Sequence, residues 1–109
     1  MPRDTVPPGT LQLLILKTLA TAEEMHGFEI AEAIQRHSGD VLSIEEGSLY
    51  PALQRLLAQD WVTAEWGTTA GNRRARYYQL TRTGRRQLDV ELAQFQRMNA
   101  AIWGVLQAG

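Results

Sequence analysis

The sequence predicts a mainly α-helical fold with one small β-hairpin and a long C-terminal helix. Three patterns support this prediction. Apolar residues recur at helical spacing in the segments before Trp61. The spacing then changes to two in a short stretch that contains the turn-forming sequence GTTAGN. After Thr81 the helical spacing returns and continues from Arg82 to Leu106, so one helix closes the chain.

Length and composition exclude several classes of protein. The 109 residues suffice for one domain with a modest core. The absence of cysteine excludes disulfides, thiolate metal sites and a cysteine nucleophile. No apolar run approaches the ~20 residues of a membrane span, and residues 1–10 lack the apolar segment of a signal peptide, so we expect a cytoplasmic protein. No catalytic or ligand motif is present, so we expect no enzyme activity, metal or cofactor.

Two helices are predicted on either side of a break in the pattern at residues 25–27. Residues 1–9 are rich in proline, and we expect them to form a flexible lead. The segment Thr10–Ala22 is apolar on most sides, so its helix should be largely buried. A second helix is expected at Gly27–His37, and Gly39 is placed to end it.

The segment Glu45–Trp61 predicts a third helix with one buried and one exposed face. The buried stripe consists of Leu49, Leu53, Leu56 and Leu57, and the exposed side chains are Ser48, Tyr50, Arg55 and Gln59. Pro51 is tolerated only near a helix start, so the N-cap is expected around Glu46 to Ser48. Such a helix can enter a DNA groove, but most amphipathic helices only pack against other elements.

The predicted hairpin carries most of the positive charge of the chain. Its strands are Val62–Trp66 and Ala75–Leu80. Residues 1–72 contain four basic and ten acidic side chains, whereas residues 73–86 contain six arginines and no acid. Salt screens exposed charges beyond about 8–10 Å, so this local patch matters more to a polyanion than the net charge of −1.

The final helix, predicted at Arg82–Leu106 with Thr81 as N-cap, has a heptad seam. The seam positions are Leu88, Leu92, Phe95, Asn99, Ile102 and Leu106. A polar residue such as Asn99 in a seam can fix register and oligomeric state. The other elements already cover one another, so this stripe needs a second surface, and we expect a homodimer. The alternative is that the helix packs only on its own domain.

Three helices, a basic hairpin and a long helix follow one another in the order of a winged helix-turn-helix. We therefore divide the chain into a lead (residues 1–9), a DNA-binding domain (10–80) and a dimerisation helix (81–109). In this arrangement the third helix enters the major groove, and the hairpin reaches phosphates or the adjacent minor groove. A two-fold dimer would place two such helices about 34 Å apart, on a pseudo-palindromic site in double-stranded DNA.

Three motifs resemble the PadR family of transcriptional regulators. They are MHGFEI at residues 25–30, EGSLYPAL at 46–53, and RYYQLT at 76–81 followed by Gly84. Each motif alone is weak, but the combination at this spacing is specific and the resemblance covers residues 9–106. It implies a short PadR regulator with one C-terminal helix. Members of that family are homodimeric repressors, and some of them bind aromatic compounds.

The resemblance also implies which residues contact DNA. In the recognition helix they are Ser48, Tyr50, Pro51 and Arg55, and in the wing, residues 67–76, they are Thr68, Asn72, Arg73, Arg74 and Arg76. The Tyr50 hydroxyl either donates to a phosphate, or its ring closes the edge of the core. Glu45 and Glu46 are interpreted as capping groups, and His26 as a cap or packing residue. Trp103, one position past the seam, either contacts a small aromatic effector or packs at the dimer interface.

The leading hypothesis is therefore a sequence-specific, homodimeric transcriptional repressor that a small aromatic ligand can release from DNA. The alternative is a winged-helix module that binds other proteins and not DNA, and the acidic balance of residues 1–72 favours it. Binding to DNA at low salt distinguishes the two hypotheses, because phosphate contacts are strongest there.

Overall fold

The computed structural model describes residues 4–6 and 8–109 and confirms the predicted mainly α-helical winged helix-turn-helix. The helices are α1 (Pro8–Ala20), α2 (Gly27–His37), α3 (Glu46–Ala58) and α4 (Arg82–Leu106). The strands are β1 (Asp4–Thr5), β2 (Met25–His26), β3 (Leu42–Ser43), β4 (Val62–Thr68) and β5 (Arg74–Leu80). In the described part of the chain, no helix has both the length and the apolar character required to cross a membrane.

The predicted hairpin is part of a three-stranded antiparallel sheet in the order β2-β5-β4. In the hairpin, Val62 pairs with Leu80 and Thr68 with Arg74, so both strands are longer than the sequence predicts. The additional strand β2 adds His26 opposite Tyr77. Two residues are too short to show a period of two, which is why the sequence pattern gives no sign of β2.

The core lies where α1, α2 and α3 meet the base of the sheet. Its fully buried large side chains are Ile15, Leu16, Leu19, Ile30, Leu53, Leu56 and Val62. The predicted burial of the first helix on most sides is confirmed, since five of its leucine and isoleucine side chains are buried. α4 joins this core only at its start, where Leu88 is 7% exposed.

Part of the N-terminal lead, for which the sequence predicts flexibility, pairs with another strand in the structure. Residues 1–3 and 7 lie outside the described residues, but Asp4–Thr5 forms a parallel pair with β3. Val6 is 4% exposed and belongs to the core cluster. α1 begins at Pro8 and ends at Ala20, two residues earlier at each end than predicted. Burial of the apolar Val6 side chain favours an ordered position for this part of the lead.

The start of α3 also differs from the prediction. The N-cap is Glu45, so Pro51 is the sixth helical residue and lies in the second turn. A proline there removes the N–H that would bond to the Gly47 carbonyl, and its ring crowds that carbonyl. Gly47 is exposed and no described residue lies within 4 Å of its Cβ position, so water can reach this end of the helix. The Glu45 side chain makes no capping hydrogen bond, so its interpretation as a capping group is wrong.

α4 spans the predicted residues and begins at the predicted N-cap. The Thr81 hydroxyl accepts a hydrogen bond from the Gly84 N–H (2.9 Å) and donates one to the Asp60 carbonyl (2.7 Å). The Thr81 N–H also donates to the Trp61 carbonyl at 3.0 Å. These bonds fix the direction in which α4 leaves the hairpin. At 25 residues, α4 is about 37 Å long.

Candidate nucleic-acid interface

The exposed ridge of α3 is set by its buried face. Leu49, Ala52, Leu53 and Leu56 are buried against the core. At 100° per residue, the positions farthest from that face are Gly47, Pro51, Gln54 and Ala58, and all four are exposed. Tyr50 and Arg55 are exposed on the two flanks of this ridge, and Ser48 is half-buried. Gln54 is therefore the long polar side chain nearest the middle of the outer face.

A groove of about 700 Å³ separates α3 from the wing. One side is formed by Tyr50 and Gln54 of α3 and by residues 26–28 at the start of α2. The other side is formed by the wing and its base, and its members are Trp66, Thr69, Arg73, Arg74, Ala75, Arg76 and Tyr78. This wing groove brings together four of the predicted DNA contacts: Tyr50, Arg73, Arg74 and Arg76. Ser48, Pro51, Arg55, Thr68 and Asn72 lie outside it.

Tyr50 combines parts of both predicted roles. Its ring rests on the backbone of Gly27, where a Cβ atom would lie 3.2 Å from the Tyr50 hydroxyl oxygen and ring. The side chain is nevertheless 45% exposed, so it does not seal the core. Within the described residues its hydroxyl has no hydrogen-bond partner. The Tyr50 ring is thus held by α2 while its hydroxyl is available at the groove.

The start of α2 is held by a capping box. His26 Nδ1 accepts a hydrogen bond from the Glu29 N–H (3.4 Å), and a Glu29 carboxylate oxygen accepts one from the His26 N–H (3.1 Å). The His26 ring also meets Tyr77 edge-on, with 5.4 Å between ring centres. The structure confirms the interpretation of His26 as a cap, and these contacts tie the α2 wall of the groove to the sheet.

Two of the wing arginines, Arg74 and Arg76, share one face of the hairpin with Trp66. The register pairs Trp66 with Arg76 and Thr68 with Arg74, and side chains two apart on a strand point the same way. The guanidinium carbons of Arg74 and Arg76 lie 4.6 Å and 5.8 Å from the Trp66 ring centre. In the described ranges, none of Arg73, Arg74 and Arg76 forms a salt bridge. Their positive charge is therefore available to an external anion.

The turn of the wing is closed by the backbone. The Thr69 N–H donates to the Arg73 carbonyl (2.8 Å), and the Asn72 N–H donates to the Thr69 carbonyl (2.9 Å). Asn72 adopts φ +63°, a left-handed conformation that asparagine tolerates better than most residues. Asn72 therefore shapes the turn that presents Arg73 and is itself exposed at the tip.

Tyr78 forms the floor of the groove and is 2% exposed. Burial raises the pKa of its phenol above the usual value, Arg76 opposes this shift, and Tyr50 adds to it. The phenol therefore stays neutral at physiological pH, and the groove keeps the full positive charge of its arginines.

The seam of α4 is uncovered beyond its first turns. Exposure rises from 37% at Leu92 and 43% at Phe95 to 50% at Ile102 and 67% at Leu106. Leu88, which the sequence assigns to the dimer interface, is instead buried in the chain's own core, because the helix start packs on α1. Trp103 is 53% exposed beside the seam. The remaining seam is an apolar stripe that no other described residue covers.

Two residues at the interface, Gln54 and Trp66, are missing from the sequence-based set of contacts. Gln54 could have been found by centring the helical projection on the buried leucines. Trp66 could be matched with Arg76 only once the hairpin register is known, and that register depends on turn geometry. Gly84, which the third family motif includes, lies at the start of α4, where a Cβ atom would collide with Trp61 and Leu80.

The structure is that of a winged helix-turn-helix protein. It has three packed helices, a basic wing beside the exposed ridge of α3, and a final helix that projects from the domain. The transcriptional regulator PadR-like family matches residues 15–90, and the chain belongs to this family. It is therefore a transcriptional regulator, and its family implies regulation through DNA binding. PadR-family regulators are generally not enzymes.

Solved structures and a curated relative are similar over most of the chain. A PadR family transcriptional regulator from Eggerthella lenta DSM 2243 is 28% identical, with a TM-score of 0.78, covering 93% of this chain and 85% of that one. A protein from Streptococcus mutans UA159 has a TM-score of 0.81 at 24% identity, covering 96% of this chain and 93% of that one. At this identity, the similarity indicates a shared fold only. An uncharacterized Lysinibacillus sphaericus protein is 28% identical over 88 residues, which are 81% of this chain and 80% of that protein.

Proposed function

We propose that this PadR-like regulator is a homodimeric, sequence-specific transcriptional repressor that binds a pseudo-palindromic operator. The observation that carries the proposal is the wing groove, where three arginines that have no salt-bridge partner among the described residues lie opposite the exposed side of α3. Such an arrangement suits a phosphate backbone on the wing side and base edges on the helix side.

In this proposal, α3 contacts base edges and the wing contacts phosphates. Gln54 is central on the exposed ridge of α3, and glutamine can bond in bidentate fashion to adenine in the major groove. Ser48, Pro51 and Arg55 line or flank the same ridge, and we assign them to the helix-side contacts. Tyr50 belongs to the α3 side of the groove, where its hydroxyl can donate to a phosphate. The wing contacts are assigned to Arg73, Arg74 and Arg76, with Thr68 and Asn72 beside them.

The uncovered seam of α4 supports the dimer. Leu92, Phe95, Ile102 and Leu106 present an apolar stripe interrupted by Asn99, and a second copy of the helix would bury it. Pairing through α4 would relate two α3 helices by a two-fold axis, as a palindromic operator requires. Residues 81–109 thus serve as the dimerisation unit, and residues 10–80 as the DNA-binding unit.

Trp103 supports a small aromatic effector as the releasing signal. Its indole is 53% exposed and adjoins the seam, so a flat aromatic molecule can stack on it at the dimer interface. Quenching of tryptophan fluorescence by such a molecule should be lost in Trp103→Leu. Quenching that persists in this variant would remove Trp103 from the effector site.

The test of DNA binding is selection of sites from random duplexes, followed by anisotropy titration at low salt. The expected result is a selected site with two inverted half-sites, bound far more tightly than random DNA. Selected sites without internal symmetry would contradict the dimeric arrangement. Failure to bind any duplex at low salt would favour the alternative protein-interaction module.

A further inference from the structure

Trp66 is a large aromatic side chain that the fold leaves 61% exposed at the base of the wing. It does not fill the core, and its contacts are instead with charged groups. The guanidinium carbons of Arg74 and Arg76 lie 4.6 Å and 5.8 Å from its ring centre. These distances are within the range of an attractive contact between a cation and the face of an indole.

Stacking on an aromatic ring leaves a guanidinium group able to bind an anion. The planar group uses one face for the ring, and the N–H groups around its edge remain free. A carboxylate partner would occupy those N–H groups and neutralise the charge. On this hairpin the nearest acidic residue, Glu65, is paired with Tyr77 and therefore points to the opposite face of the sheet.

Arg76 has two aromatic neighbours. Its guanidinium lies near two rings, 5.8 Å from the centre of Trp66 and 6.0 Å from that of Tyr78. Its Nε atom is buried and has no hydrogen-bond partner within the described residues. The side chain is thus placed by its aromatic neighbours, and because its Nε atom is buried, only the terminal N–H groups of its guanidinium can bind an external anion.

We propose that Trp66 is a positioning residue that aligns the guanidinium groups of Arg74 and Arg76 to receive neighbouring phosphates of the DNA backbone. This inference rests on the proposed DNA-binding function. The benefit is preorganisation, because two long side chains that are already ordered lose less freedom on binding. The rival role is direct contact, in which the Trp66 ring itself wedges into the minor groove.

The first test uses the protein without DNA. The Nε–Hε NMR signals of Arg74 and Arg76 should be displaced by the ring current of Trp66, and this displacement should disappear in Trp66→Leu. Trp66→Phe should retain part of it. Arg73, the adjacent wing arginine without a ring contact, supplies the control signal and should not move. Arginine signals that are the same in all three proteins, with unchanged backbone spectra, would overturn the proposal.

The second test measures affinity for a random duplex. Trp66→Leu should weaken binding roughly tenfold, or about 1.4 kcal/mol, and Trp66→Phe should recover most of the loss. In an Arg74→Ala/Arg76→Ala background, Trp66→Leu should have no further effect, since nothing remains to be positioned. An equal loss in that background would show that Trp66 contacts DNA itself and would overturn the positioning role. If the unaltered protein binds no DNA, the proposed function fails, and the free-protein spectra still decide whether Trp66 orders the arginines.

Discussion

Gly84 is the residue at which a single added methyl group should do the most damage to the junction between hairpin and α4. A Cβ atom there would lie 2.8 Å from Leu80 Cδ1 and 2.9 Å from the Trp61 carbonyl carbon. The Trp61 carbonyl carbon is a backbone atom, so it cannot rotate away as a side chain could. In Gly84→Ala the start of α4 must therefore move from Trp61, which disturbs the hydrogen bonds of Thr81 to Trp61 and Asp60.

The expected loss of stability follows from opposing effects. Alanine would favour the helix by up to about 1 kcal/mol. Overpacking costs about 1–3 kcal/mol, and each weakened hydrogen bond about 0.5–1.5 kcal/mol. The net prediction is a destabilisation of about 2–4 kcal/mol, a large share of the ~5–15 kcal/mol typical of a domain. Urea unfolding followed by circular dichroism at fixed protein concentration measures it.

Gly104→Ala is the matched control in the same helix. In the part of the chain that the structure describes, Gly104 has nothing within 4 Å of a Cβ position, and its heptad position is far from the seam. This variant should be as stable as the unaltered protein or more stable by about 0.5–1 kcal/mol. Equal stabilities of Gly84→Ala and Gly104→Ala would refute the contact argument and the packing that it assigns to the α4 junction.

Three further predictions concern the seam, the groove floor and the groove edge. Ile102→Glu should yield monomers in analytical ultracentrifugation. Val90 lies off the seam and is similarly exposed (48% against 50% for Ile102), so the control variant Val90→Glu should remain dimeric. If both variants are dimers, the seam is not the dimer interface. Because burial raises the pKa of Tyr78 above 10.0, stability should fall as pH rises past that value, and Tyr78→Phe should show a shallower fall in urea unfolding. Identical pH profiles would contradict this. Tyr50→Phe should weaken binding by about 1–3 kcal/mol on operator and random duplexes alike, as titrations of both would reveal; a loss confined to the operator would mean a base contact.

The sequence predicts the elements with strong periods and misses features that depend on contacts between distant residues. Gly27–His37 and Arg82–Leu106 are predicted to the residue, because a break or an N-cap marks each start. Pro51 misplaces the start of α3, since a proline in the second turn is less favourable than one in the first. The short strand β2 has no period and forms through pairing with β5.

For the candidate site, composition indicates the arginines but not their arrangement. Six arginines in residues 73–86 are visible as a charge patch, yet Arg82, Arg85 and Arg86 belong to α4 and do not line the wing groove. Which arginines meet the groove depends on where the hairpin turns, and that is set by Thr69 and the left-handed Asn72. The stacking of Trp66 follows from the same register.

In the proposed mode of binding, α3 chooses the DNA site while the wing supplies most of the attraction. The direct measurement is the affinity for operator and random duplexes over a range of salt, for the unaltered protein, Arg73→Ala/Arg74→Ala and Gln54→Ala. The wing variant should weaken both affinities alike and reduce the salt slope by roughly 0.9 per lost phosphate contact, or about three to four for a dimer. Gln54→Ala should lower the preference for operator by about 1–3 kcal/mol with the slope unchanged. A wing variant that keeps its salt slope, or a Gln54→Ala protein that keeps its preference, would contradict this division.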